Sequence, residues 1–292
     1  MNKYHIQYLD GGMMYELKKK FTNDDANAIL DNKSYIINIY KEYINLGCDY
    51  ITTCNFQYNP LKMNNWKTLI DHTYGLFVKL RNQEINNNNY KILCSLPPYF
   101  ETFNNGLIDK DYINYYKYII KVMDPITDIF IIEKAVSPIH IETILDLIRK
   151  HTIKKTIVSI YVNGFIKKND IQKIINNYEI YGLLLNCCSF EKMYDYFSTT
   201  INKLTINEKI YLGFYCNMIN EIKYNLLNSY KKTDDYNILE FKNDKKITMD
   251  NLELFFKNYN RRNRLIIGGC CGYGVKEMGL LINYLRYFNY RF

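Results

Sequence analysis

The chain has 292 residues, a formal net charge of +8, 48% hydrophobic residues and eight cysteines. That length permits a sizeable buried core, and no apolar run approaches the roughly 18–20 residues needed to span a bilayer. Lys and Arg are scattered among acidic and Asn residues instead of forming one basic stripe, so the charge argues against a nucleic-acid partner. The start "MNKYHIQYLDGG" has no apolar signal core, and the cysteines sit inside apolar runs, unlike a small stapled scaffold. A reduced, soluble protein of the cytoplasm is expected, with no membrane partner.

Taken in chain order, short β-branched and aromatic runs alternate with longer amphipathic stretches. The strand candidates are 5–10, 50–55, 91–96, 129–134, 156–162, 182–187, 210–216 and 264–269. The helix candidates are 34–47, 66–85, 111–123, 138–150, 169–178, 190–200, 248–260 and 275–288. In 34–47, Ile36, Ile37, Tyr40, Tyr43 and Ile44 make one apolar face, and Gly47 stands where a helix stops. Strands apolar on both faces, in strict alternation with helices, predict a parallel sheet covered by helices. Eight units favour a closed (β/α)8 TIM barrel, as one α/β domain over 1–292, above a doubly wound open sheet. The longest connection, 217–247, follows the seventh strand and is expected to wall or cover the active-site face.

In such a barrel the strand ends converge on one face. Asp10, Asn55, Glu133, Asn186, Cys187, Asn217, Cys270 and Cys271 stand at those ends. A disulfide between the adjacent Cys270 and Cys271 would close a strained ring, because Cα atoms joined by a trans peptide are only about 3.8 Å apart. Two such thiolates can instead face one soft metal ion, with a third ligand from the sixth strand. Three thiolates and an open fourth position would make a catalytic zinc site. Cys48, Cys54, Cys94 and Cys216 are read as small core residues, and Cys188 as pointing the other way along its strand.

Four segments, "LDGGMMYEL" (9–17), "ITTCNFQ" (51–57), "LLNC" (184–187) and "IIGGCCG" (266–272), resemble the signatures of the zinc-dependent homocysteine S-methyltransferases, in order and over nearly the whole chain. The resemblance implies a zinc ion held by Cys187, Cys270 and Cys271, with homocysteine and a methyl donor as the small-molecule substrates and methionine as product. It also implies that Glu133 holds the homocysteine ammonium, that Asp10 orients substrate or favours a cationic donor, and that Asn186 flanks the first ligand. "SLPPYF" (95–100) is similar to the family's Ser-x-Gly-Pro-Tyr segment, which would place Tyr99 or Phe100 near a methylsulfonium by cation–π attraction. The compact length is most similar to the branch using S-methylmethionine or S-adenosylmethionine, and implies a monomer or weak homo-oligomer.

Three segments depart from the family pattern. Leu184 replaces a glycine, Lys134, Ala135 and Val136 replace Thr-Leu-Pro after the glutamate, and Tyr273 replaces a threonine after "CCG". A catalytically inactive zinc-binding barrel with a diverged pocket is therefore the alternative. A thiol-redox protein ranks below both, because no Cys-x-x-Cys is present.

Overall fold

The computed structural model describes residues 4–20, 31–61, 63–84, 89–99, 110–162, 164, 166–218 and 247–291. Eight parallel strands form one sheet: β1 Ile6–Tyr8, β2 Tyr50–Thr52, β3 Lys91–Leu96, β4 Ile129–Ala135, β5 Lys155–Tyr161, β6 Gly182–Asn186, β7 Tyr211–Cys216 and β8 Leu265–Gly269. From β2 to β8 each strand pairs with the next in sequence, and β1 pairs with β8. A bridge between Leu9 and Tyr50 joins β1 to β2, so the sheet closes into the expected (β/α)8 barrel.

The covering helices are α1 Met13–Lys20, α2 Lys33–Leu46, α3 Trp66–Gln83, α4 Lys110–Met123, α5 Pro138–His151, α6 Lys168–Asn177, α7 Phe190–Thr199, α8 Met249–Asn258 and α9 Val275–Arg291. Their ends follow local chemistry. Gly47 stops α2 in the left-handed region (φ 90°), where a glycine lacks the Cβ penalty. Pro138 opens α5 at a position whose N–H has no helical partner. The Ser189 and Thr248 hydroxyls accept from Lys192 N and Asn251 N to start α7 and α8. Among the described residues no helix is long and apolar enough to cross a membrane.

Side-chain alternation along the strands divides the core in two. One set packs between sheet and helices and contains Cys48, Cys54, Cys94, Cys188 and Cys216, all buried, as expected of core thiols. The other fills the barrel: Leu9, Leu93, Ile131, Ile157, Leu184, Tyr215 and Ile266 among them. Near the N-terminal ends of the strands, the Tyr50 hydroxyl meets the Tyr181 hydroxyl at 2.9 Å, Tyr181 stacks on Tyr211, and Arg264 donates to the Tyr211 hydroxyl. The barrel is thus packed from below, and the polar strand ends collect at the opposite, C-terminal face. The connection expected over 217–247 lies outside the described residues except for Asn217, Met218 and Ile247.

Candidate active site

The eighth strand delivers Cys270 and Cys271 just past Gly269, and the sixth delivers Cys187 just past Asn186. Cys187 adopts φ 54°, a left-handed conformation uncommon for a residue with a Cβ. The turn it makes carries its sulfur to 3.2 Å from the Cys270 Sγ, which is 4.0 Å from the Cys271 Sγ. Three thiols 83 and 84 residues apart in sequence therefore meet at the barrel mouth, as the strand-end argument expects. Tetrahedral zinc with Zn–S bonds of about 2.3 Å sets sulfurs about 3.8 Å apart, a value the two separations bracket. Among the described residues no group of three or more His, Cys, Asp or Glu side chains is placed so that it could hold a metal ion. The thiols touch one another instead of being spread about a centre. Contact with Cys187 and Cys271, together with burial, pushes the Cys270 thiol well above the ordinary thiol range.

The donor chemistry fits a soft divalent ion, and the surrounding backbone is fixed independently of it. Cys270 N donates to Cys216 O at 2.8 Å, and Cys271 N donates to the Asn217 Oδ1 at 3.2 Å. Among the described residues the buried Asn217 Nδ2 has no hydrogen-bond partner. An unmet donor beside the thiol loop is costly to leave dry, and is the kind of group a bound substrate satisfies.

Gly11 and Gly12 bring the first strand's turn against this loop. Gly12 N donates to Tyr273 O at 2.7 Å, and a Cβ at Gly12 would lie 2.9 Å from the Cys270 carbonyl oxygen. A side chain there would push the turn off the thiol loop. Glu16 of α1 accepts from Val275 N at 2.7 Å, placing a carboxylate at the start of α9 where the helix dipole favours negative charge. Tyr273 is buried, and its hydroxyl accepts from Ile247 N at 2.9 Å. It thus ties the thiol loop to the backbone at Ile247. Leu184, on the inward face two residues before Asn186, fills the barrel below the mouth.

Asp10 is buried and is held by β2: Thr52 N donates to its Oδ2 at 2.8 Å and the Thr52 hydroxyl to its Oδ1 at 3.0 Å. Burial pushes this carboxyl up to about 8, against the lowering pull of the Thr52 bonds, and the negative charge of Glu133 adds to the rise. Glu133, on β4, accepts from the Ser95 hydroxyl at 2.5 Å and from the Tyr215 hydroxyl at 3.3 Å. Burial raises it to about 7, opposed by those two hydrogen bonds. Ser95 is fixed in turn by Thr53 and Asn55, the Asn55 amide donating to Ser95 O at 2.9 Å. With its amide turned to satisfy every neighbour, Asn186 donates to Ile160 O and the Ser159 hydroxyl. Its oxygen then accepts from Lys134 N at 3.2 Å and lies 3.0 Å from the Tyr215 hydroxyl oxygen, whose one proton is shared between it and Glu133.

Because the folded chain holds these two carboxyls protonated to a higher pH than the unfolded chain does, the native state binds more protons over the interval from about 4 to about 8. Their contribution to stability is full in acid and is lost as pH rises toward 8. Denaturant titrations of the Asp10→Asn protein should show a shallower decline of stability between pH 5 and pH 8 than the wild type. Parallel declines would show that Asp10 titrates as an ordinary carboxyl.

Tyr99, expected near the donor, is buried, with its ring edge-on to Tyr112 at 5.3 Å and tilted against Tyr115 at 5.5 Å. It lines a small cavity with Glu133, Lys134 and Val136, so it sits behind the carboxylate and against α4. Phe100 lies outside the described residues. Sequence inspection did not single out Thr52 or Tyr215, the partners that hold Asp10 and Glu133. Their only sequence signal is position, two residues after the start of one strand and one residue before the end of another.

A closed (β/α)8 barrel carrying convergent thiols and two perturbed carboxyls at the C-terminal mouth defines a barrel enzyme. The homocysteine S-methyltransferase family model matches residues 8–282, and the chain belongs to that family. It is accordingly a methyltransferase, with homocysteine as the methyl acceptor. Homocysteine methyltransferase MmuM from Escherichia coli, in its apo form, has a TM-score of 0.69 at 17% identity, covering 97% of each chain. The metallated form of the same protein gives 0.69 at 16% identity over 96% of each. At such identities the likeness bears on the fold. No curated protein sequence matches the chain.

Proposed function

We propose that this barrel transfers a methyl group from a sulfonium amino acid, S-methylmethionine or S-adenosylmethionine, to the sulfur of homocysteine, with zinc held by Cys187, Cys270 and Cys271. The observation that carries the proposal is the meeting of those three thiols at the same mouth as Glu133 and Asp10. Zinc, when bound, supplies positive charge that favours the thiolate form of homocysteine near neutral pH.

The rest is the work of this chain's own groups. Glu133, once ionised by an arriving ammonium, holds the homocysteine amino group, and Ser95 and Tyr215 fix its two oxygens so that the substrate has one orientation. Asp10, tied to Thr52, favours a positively charged donor once the arriving positive charge ionises its carboxyl. The reaction moves one methyl group: the new S–CH3 bond forms on homocysteine, the sulfonium's S–CH3 bond breaks, and the donor leaves as a neutral thioether. The proton lost is the homocysteine thiol proton, shed before transfer, so the displacement step itself needs no general base. Alignment of sulfur, methyl and leaving group at near-attack distance is the main demand on the protein.

The zinc-loaded protein, given homocysteine, should form methionine with S-methylmethionine or S-adenosylmethionine and not with glycine betaine. Absence of product with both sulfonium donors would favour the alternative, a zinc-binding barrel whose pocket no longer turns over. Leu184 below the mouth is the residue that would then account for a narrowed cradle.

A further inference from the structure

Lys134 follows Glu133 directly, and on a regular strand it would point away from the barrel, toward the helices. It does not follow that pattern. Its backbone is left-handed at φ 49°, and the β4–β5 register shifts between Ile132 and Ala135, so the strand bends at this residue. The side chain is only 7% exposed, and its Nζ lies 5.4 Å from the centre of the Tyr161 ring. Tyr161 ends β5 and packs in one cluster with Val136, Cys187 and Cys270. A lysine with a buried stem, on a conformation that few non-glycine residues adopt, is thereby held at the thiol side of the mouth.

Glu133 and Lys134 thus present opposite charges to different parts of the same opening. Glu133 faces Ser95 and Tyr215; Lys134 faces Tyr161 beside the thiols. The carboxylate of homocysteine shares a carbon with its ammonium and stays with it on the Glu133 side. What must approach the thiol side from solution is the methyl donor, whose reacting end is a cation that an ammonium repels. The group on a sulfonium amino acid that an ammonium attracts is its α-carboxylate.

Resting on the sulfonium-donor reading above, we infer that Lys134 anchors the α-carboxylate of the methyl donor, and so selects donors that carry one. Tyr161, its face already covered by the lysine, positions the ammonium.

The test is calorimetric binding to the zinc-loaded protein without homocysteine, so that no turnover occurs, using S-methylmethionine and its α-carboxamide. The wild type should bind the carboxylate form about tenfold more tightly or better, as for a charge-assisted hydrogen bond. Lys134→Met should erase that preference, Lys134→Arg should keep most of it, and homocysteine affinity should stay within about twofold in both. Circular dichroism of each variant checks the fold, and the arginine variant keeps the test open if the methionine variant is damaged. Equal preference in wild type and Lys134→Met, or loss of homocysteine affinity instead of donor affinity, would overturn the inference. Methionine formation is followed separately. A carboxylate preference that depends on Lys134 without any product supports the anchor and counts against the donor reading alone.

Discussion

Replacing Cys270 by alanine is expected to abolish methionine formation and to lower bound zinc from about one per chain to near zero. Cys270 is the middle thiol, touching Cys187 at 3.2 Å and Cys271 at 4.0 Å, so its loss leaves two sulfurs without their shared neighbour. Loss of a group that merely supports a metal ligand already costs about 10–100-fold in affinity, and loss of a ligand should cost more. The fold should survive, because the residue is only partly buried and its backbone is held by Cys216 O. Metal analysis beside circular dichroism separates the two effects. Full zinc occupancy in the folded Cys270→Ala protein would remove this cysteine from the site.

The second large effect is expected at Glu133. Glu133→Gln should retain zinc yet weaken homocysteine binding by about 100-fold or more, since breaking one side of a buried charge pair costs about 3–5 kcal/mol. The pH dependence should change with it. Burial holds the wild-type carboxyl at about 7, so affinity for the homocysteine ammonium rises as pH increases through that value and the carboxyl ionises. Glutamine cannot titrate, so the share of the pH dependence owed to this carboxyl should vanish, leaving only the rise that release of the thiol proton gives. Ser95→Ala should move the wild-type profile to higher pH, because the Ser95 hydroxyl is the first of the bonds that favour the ionised form. Unchanged homocysteine affinity in Glu133→Gln would mean that the ammonium is held elsewhere.

All eight strands and the eight helices expected from periodicity are present, most ends agreeing within two residues, because each carries its apolar pattern locally. The strands β1 and β2 stop short of the expected 10 and 55. Past those ends the Asp10 and Asn55 side chains bond Thr52 and Ser95, and such side-chain bonds have no signature in hydrophobic period. Helix α1 escaped notice for a related reason. "MMYELKKK" is too short to show an amphipathic stripe, and it is pinned by Glu16 reaching Val275, 259 residues away.

The thiols were legible because strand ends in a barrel converge whatever the register. The settings of Asp10 and Glu133 were not, since they depend on which residues of the neighbouring strands fall opposite. Tyr215 illustrates this: it reaches both Glu133 and Asn186 only because Asn186 and Tyr215 are in register. Lys134 was visible as a departure from the family pattern, but its direction rests on a left-handed turn that composition does not announce.

The central claim is that homocysteine's sulfur is deprotonated on binding at the three-cysteine site. Calorimetry in buffers of differing ionisation enthalpy counts protons released on binding, and comparison of homocysteine with methionine cancels any proton lost from Glu133, because both ligands carry the same amino-acid end. An ordinary thiol, with a pKa of roughly 8.5, is largely protonated at pH 7. The zinc-loaded protein should therefore release about one proton more with homocysteine than with methionine. Equal proton release with the two ligands would mean that the thiol stays protonated, and would contradict the account.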